Sequence, residues 1–306
     1  MLRYTIAAIA LKAFSSTEAS RRLYRRVGNR IGRGRRNPDD YAVYSAARKL
    51  DFIARNGAIA DGMHVLELGT GWVHFDALFT RLFYDVRVTM FDVWDCRLWA
   101  NFCGLLDALE REIPQIDVLP AARVTRALAV LEKVKCCHDF AEVYALLGFT
   151  YAVDPAGSLH EVADRSVDLV FSSDVLEHVH EDDFPALAND LRRILGPGGH
   201  MSAQIATHDH LFGYDRSVHQ KNYLRYSDRS WNLWFGNRLQ YINRWQASDF
   251  ERFFSEEGFD IVEREPVSVV DTGTLPLAAR WQDYAREDLE TKTFRILVRT
   301  RQGPAH

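Results

Sequence analysis

Three groups of residues have types and spacings that suit chemistry. Glu67-Leu68-Gly69-Thr70-Gly71 follows the apolar run Val65-Leu66 directly. Glycines at 69 and 71 let a backbone turn sharply from a strand into a helix and approach a nucleotide-like ligand closely. Asp92 closes a second apolar run, Val86 to Phe91, where an acid can accept hydrogen bonds from both hydroxyls of a ribose. Plainer readings stand beside these: many strand-to-helix turns use glycine for geometry alone, and an acid at a strand end can be a turn residue or a cap. His208-Asp209-His210 follows the run 200–206 after one residue. Imidazole titrates near neutrality when unperturbed, so it can take a proton from a nucleophile. A two-residue spacing on an extended loop puts both imidazoles on one side, so His210 rivals His208, and Asp209 could orient a ring. The alternative for this triplet is a solvated loop start. Asp174, Glu177 and His178 form the third group; on a helix starting at Asp174 they occupy i, i+3 and i+4 and share a face. They are weak candidates for a divalent ion, because a hard cation takes more oxygen ligands. The expectation is no metal and an orienting or structural role.

The elements that must hold these residues alternate in type. Apolar spacing at Tyr41, Tyr44, Ala47, Leu50 and Ile53 predicts a helix to about Arg55, closing on Asn56-Gly57. Strands are expected in the run 63–68, at Val86–Phe91, at Phe149–Val153, at 167–173 and at 200–206, and two last strands at Phe259–Val270 and Thr293–Thr300. Residues 96–148 are helical in character and longer than one crossover needs, so they form an insertion. Leu187, Leu191, Ile194 and Leu195 mark a helix that stops at Gly196-Pro197-Gly198-Gly199. Residues 207–247 form a second, irregular insertion rich in Tyr and Trp; about half of its aromatics should be core. Ser248 and Glu251 stand at capping-box spacing before Phe250, Phe253 and Phe254, predicting a helix that runs to Gly258. Strands alternating with helices mean a parallel sheet with its ligand crevice at the carboxyl ends. The two closing strands, joined by a loop, should pair antiparallel at one edge.

Charge divides the chain unevenly. Residues 1–36 hold Arg3, Lys12, Arg21, Arg22, Arg25, Arg26, Arg30, Arg33, Arg35 and Arg36 against the single acid Glu18, a net +9 that leaves −13 on the rest of a −4 chain. Two parts are expected: a basic N-terminal helical segment, 1–57, and a ligand-binding domain, 58–306, carrying the insertions at about 96–148 and 207–247. The apolar start of the leader is broken by Lys12 and too short to span a bilayer. A basic helix packed on the acidic main domain is favoured over peripheral contact with an anionic membrane. With its basic residues gathered in one leader rather than around the crevice, the chain does not take nucleic acid as partner. Cys96, Cys103, Cys136 and Cys137 form no C-x-x-C pair, which suits reduced thiols in the cytoplasm. Self-association into a homo-oligomer is left open.

In this order, the motifs resemble class I S-adenosylmethionine-dependent methyltransferases over roughly residues 60–300. VLELGTG is similar to the family's first motif, which implies that Glu67, Gly69, Thr70 and Gly71 contact the methionine and ribose portions of S-adenosylmethionine. Phe91-Asp92 resembles the second, with Asp92 on the ribose. SVDLVFSSDVLEHV, residues 166–179, is similar to the fourth-strand motif of the small-molecule branch and brings Ser173 and Asp174 to the cofactor. LRRILGPGGHM, residues 191–201, resembles the following helix, turn and fifth strand. Asp154 is the nearest acid to the third strand for the adenine-contacting place. One departure is clear: Val73, behind bulky Trp72, stands where the family often has a third glycine, so the turn is shaped differently. The resemblance implies a seven-stranded, mostly parallel Rossmann-like sheet with helical and aromatic-rich lid insertions, and methyl transfer to a small-molecule or glycan acceptor. O-methylation with His208 as base is expected; N- or C-methylation of a natural product, or a non-catalytic Rossmann-like binding subunit, are the alternatives. A dinucleotide is the poor second as ligand, because the full G-x-G-x-x-G is missing.

Overall fold

The computed structural model describes residues 2–17, 19–20 and 40–301. Eight arginines of the basic leader, Arg21 to Arg36, and Glu18 lie outside the described residues. Seven strands form one sheet in the order β3-β2-β1-β4-β5-β7-β6: β1 (His64–Leu68), β2 (Arg87–Asp92), β3 (Phe149–Val153), β4 (Leu169–Ser173), β5 (His200–Ala206), β6 (Phe259–Val269) and β7 (Thr291–Thr300). The first five run parallel, and β7 lies antiparallel between β5 and β6. Register aligns the carboxyl ends: Leu68 pairs with Phe91 and Ser172, Asp92 with Val153, and Ser173 with Gln204. The candidate residues therefore emerge along one edge, at the strand-order reversal between β1 and β4 where open α/β sheets bind ligands.

Helices cover both faces because each carries an apolar stripe. On one side lie α2 (Asp40–Arg55), α3 (Phe75–Phe83), α4 (Trp99–Glu112), α5 (Ala121–Val134) and α6 (Phe140–Leu147). Leu50, Phe52, Phe79, Phe102, Leu105 and Leu131 belong to their shared core. The insertion at 96–148 is thus three helices packed into the main core, and α2 joins the same core rather than the leader. The other face is covered by α7 (Phe184–Leu195) and α9 (Ala247–Glu256), through Phe184, Leu191, Ile194, Phe250 and Phe254. The start of α9 differs from expectation. Gln246 is its cap, its N–H donating to Asp249 Oδ2 at 2.9 Å. Ser248 instead sits inside the helix and donates to Asp288. Both pairings obey the same three-residue spacing, and the buried Gln246 side chain selects between them.

The aromatic insertion builds a third apolar cluster. It contains short turns and α8 (Asp228–Trp234), and closes against α1 (Leu2–Ser15). Tyr223, Trp231 and Phe235 are buried there with Tyr4, Ala8 and Leu11 of α1; Tyr226, Tyr241 and Trp245 are half-buried, while Tyr214 and Trp234 are exposed. Helix α1 does pack on the main body, through apolar side chains, the hydrogen bond from Tyr4 Oη to Asp209 Oδ2 (2.7 Å), and Lys12, whose Nζ donates to backbone carbonyls rather than to acidic side chains. No described helix is long and apolar enough to cross a membrane.

Candidate active site

The loop from β1 to α3 sits over the end of β2. Gly69 and Gly71 adopt φ of 79° and 64°, a left-handed backbone that disfavours side chains. A Cβ on Gly69 would meet Val175 Cγ2 at 2.4 Å, whereas one on Gly71 would meet nothing within 4 Å. Gly71 N–H donates to Asp92 Oδ2 (2.9 Å) and Val93 N–H to Asp92 Oδ1 (2.8 Å). Asp92 thereby ties two loops together; Oδ2 also accepts weakly from Cys96 Sγ at 3.9 Å, and Oδ1 keeps a lone pair for a further donor. Beyond it, Phe91, Ala152, Val153, Leu159 and Val162 line one part of a slot of about 240 Å³, and Asp154, Ser158, His160 and Glu161 the rest. Asp154 accepts from Ala156 N–H at 2.8 Å and lies 3.5 Å from His160 Nδ1.

The missing third glycine has a structural answer. The next left-handed residue is not Val73 but His74, at φ 49° just before α3. Its buried ring bridges Thr70 Oγ1 (Nδ1, 2.8 Å) and Tyr144 Oη (Nε2, 2.7 Å). Thr70 Oγ1 donates to Glu67 Oε2 at 2.6 Å, so it accepts from Nδ1–H, and Nε2 accepts from Tyr144. Burial pushes His74 down to about 4, which keeps this neutral tautomer. Glu67 also accepts from Ala77 N–H at the start of α3. Nearby, Lys49 Nζ donates to both oxygens of Asp76 (2.6 and 2.7 Å) and to Ser173 Oγ (3.0 Å). Lys49, Asp76, His74 and Tyr144 were not singled out from sequence. The signal for Lys49 was a cation three residues after Ala46 and four before Ile53, on a buried helical stripe.

Burial, with Asp76 second, raises the Glu67 carboxyl to about 8. A folded value above the unfolded one means that this group's contribution is full below about 4.5 and is lost as pH rises through about 8. Melting temperatures of wild type and Glu67→Gln across this range should show the variant gaining relative to wild type as pH rises. A constant difference would mean that Glu67 does not titrate there.

At the ends of β4 and β5 the condition for a shared face of Asp174, Glu177 and His178, a helix starting at Asp174, is not met. Asp174 takes φ 56°, and Leu176–His178 make a single 3-10 turn. The i, i+3, i+4 face is therefore absent, and His210 takes the place of Asp174: Glu177, His178 and His210 offer ligand atoms within 4.8 Å of one another. Glu177 is 2 % exposed. Its Oε1 accepts from Ala206 N–H, and its Oε2 has no hydrogen-bond partner among the described residues. Burial first and Asp174 second raise its carboxyl well above the usual range. His178 Nδ1 lies 2.6 Å from the Tyr241 carbonyl, to which it donates.

His208 and His210 do come together, stacked with ring centroids 4.8 Å apart, and the His178 ring lies tilted 4.9 Å from His210. Burial, then Lys292 and Lys221, pushes His208 down to about 4; burial, then His178, pushes His210 down to about 3. Both are neutral at physiological pH, and neither Nδ1 has a partner among the described residues. Asp209 does not orient them. It is fully buried, with Oδ1 accepting from Leu211 N–H (2.9 Å) and Oδ2 from Tyr4 Oη. His208, His210, Asp174, Gln204 and Ser45 line a cavity of about 250 Å³.

The cradle suits a nucleoside-bearing cofactor: an acid with a free lone pair at the ribose position, a slot beside Asp154 for a base, and Lys49, paired with Asp76 and Ser173, near the same strand ends. Residues 40–264 match the model of a methyltransferase-domain family. No curated protein sequence matches significantly. Among solved structures, the chain is similar to the 1,6-didemethyltoxoflavin-N1-methyltransferase of Burkholderia thailandensis at 14 % identity, covering 92 % of this chain and 87 % of that one, with a TM-score of 0.48. A methyltransferase from Methanosarcina mazei matches at 12 % identity over 82 % of this chain and 98 % of that one, with a TM-score of 0.47. One from Aquifex aeolicus matches at 11 % identity over 86 % and 100 %, with a TM-score of 0.43. With more than two thirds of its length matched by the family model and the strand order described above, the chain belongs to the class I S-adenosylmethionine-dependent methyltransferases.

Proposed function

We propose that the protein O-methylates a small, sugar-like or polyhydroxylated acceptor, with His208 taking the hydroxyl proton. The observation that carries this reading is the cavity lined by His208, His210 and Asp174, at the ends of β4 and β5 and bordered by Val267, Ser268 and Thr293 of β6 and β7. Bound S-adenosylmethionine supplies an electrophilic sulfonium methyl. Asp92 accepts from its ribose, the slot beside Asp154 takes its base, and Lys49 faces its carboxylate. Gly69, Thr70 and Gly71 shape the loop around it, Glu67 braces that loop, and Ser173 and Asp174 border its reactive end.

The acceptor oxygen forms its bond to the methyl carbon as the carbon–sulfur bond breaks, and that electron pair stays on sulfur. The hydroxyl proton passes to a neutral ring nitrogen of His208. Even an imidazole weakened by burial suffices, because an oxygen gaining a third substituent is far more acidic than an alcohol. A separate cavity of about 850 Å³, which shares no lining residue with the first, is bordered by Asn232, Asn237, Arg238, Arg280 and Tyr241 with apolar Trp231 and Ile242. The four free cysteines support a reducing, cytoplasmic setting.

This reading needs no metal. The methyl transfer uses only an imidazole and the sulfonium, although Glu177, His178 and His210 offer ligand atoms that all lie within 4.8 Å of one another. Activity on an identified acceptor should survive exhaustive chelation. Loss of turnover with rescue by a divalent ion would make these three residues ligands instead.

A further inference from the structure

Helix α1 is apolar on both halves of its circumference. Tyr4, Ala8 and Leu11 face the aromatic layer and are buried. The opposite half presents Leu2, Ile6 and Ile9, which are 75, 56 and 53 % exposed, with Ala10 and Ala13 between them. A helix that is apolar all round is ordinarily covered all round. Lys12 Nζ donates to the carbonyls of Asn232 (2.6 Å) and Leu233 (2.7 Å), which draws the end of α8 alongside. There Leu233 and Trp234 are 58 and 57 % exposed. Leu2, Ile6 and Ile9 on α1 and Leu233 and Trp234 at the end of α8 are exposed apolar side chains of the kind that mark an interaction surface.

Charge selects the occupant. Arg3 and Lys12 lie on α1 itself, and the first 36 residues carry +9 against −13 on the rest of the chain. A two-fold contact with a second copy would set two such basic segments against each other, whereas an anionic lipid surface attracts them. At about 1.5 Å per residue, the 14 residues of α1 reach about 21 Å, short of the roughly 30 Å hydrocarbon core. The helix is therefore suited to lying along a surface. An exposed tryptophan such as Trp234 suits the headgroup level.

We propose that Leu2, Ile6, Ile9, Leu233 and Trp234 seat the protein peripherally on an anionic membrane surface. This inference is independent of the acceptor. The full chain should co-sediment with phosphatidylcholine vesicles containing phosphatidylglycerol, more weakly with phosphatidylcholine alone, and less as salt rises. Ile6→Asp/Ile9→Asp should lower the partition coefficient at least about tenfold, and Trp234→Ala should lower it by less. S-adenosylhomocysteine affinity and melting temperature serve as controls for folding in each variant. The proposal is overturned if wild type ignores both vesicle types, or if folded Ile6→Asp/Ile9→Asp and Trp234→Ala bind as wild type does. It is equally overturned if light scattering shows a dimer that these substitutions dissociate, since a second copy would then cover these side chains.

Discussion

Replacing His208 with alanine lowers turnover by at least about 10²-fold, the usual loss on removing a general base. Affinity for S-adenosylhomocysteine and melting temperature stay near wild type, because the ring lines the acceptor cavity rather than the cofactor cradle. His210→Ala is the internal control. Its ring packs against both His208 and His178, so its loss disturbs position more than proton transfer. The pH profile adds a second readout. A base must be unprotonated, and burial holds His208 at about 4. Turnover is therefore level from pH 6 to 8 and falls only in the acid range, unlike the neutral limb that an exposed histidine would give. If His208→Ala turns over normally while His210→Ala does not, the role belongs to His210. If neither substitution matters, the acceptor atom is not a hydroxyl that needs a base.

Asp92→Ala weakens S-adenosylhomocysteine binding in calorimetry by about 1–3 kcal/mol, the cost of losing charged hydrogen bonds to the ribose. The substitution also strips the acceptor from Gly71 N–H and Val93 N–H, so the glycine loop loosens with it. Asp92→Asn separates these effects: the amide oxygen can still receive one N–H but carries no charge. Wild-type affinity in Asp92→Ala would remove this residue from the cofactor site.

What could be read from sequence was whatever depends on local pattern. Short apolar runs broken by glycine located β1 and its loop, and β3 and β5 fell at their predicted residues because nothing nearby competes for those runs. The apolar stripe closing at Gly196 located α7 for the same reason. What could not be read depends on contacts distant in sequence. Asp209 looked like a partner for His208, but Tyr4, 205 residues away, claims it and seals it in the third core. Burial of that carboxyl, which raises it to about 7, is a tertiary effect with no local signature. A shared face for Asp174, Glu177 and His178 depended on a helix starting at Asp174, but Asp174 adopts a left-handed backbone and the chain tightens into one 3-10 turn. The left-handed turn falls one residue after the family's glycine position, at His74, whose ring is held by Thr70 and Tyr144, contacts 4 and 70 residues away.

The central claim is transfer of a methyl group from S-adenosylmethionine to a hydroxyl. Incubating the protein with methyl-labelled S-adenosylmethionine and a panel of saccharides, other polyhydroxylated compounds and phenols, then fragmenting the products by mass spectrometry, tests it most directly. The account predicts label on an acceptor oxygen with wild type, and almost none with His208→Ala although that variant still binds S-adenosylhomocysteine. Label found on nitrogen or carbon, or a protein that binds S-adenosylhomocysteine yet labels nothing across the panel, would contradict it.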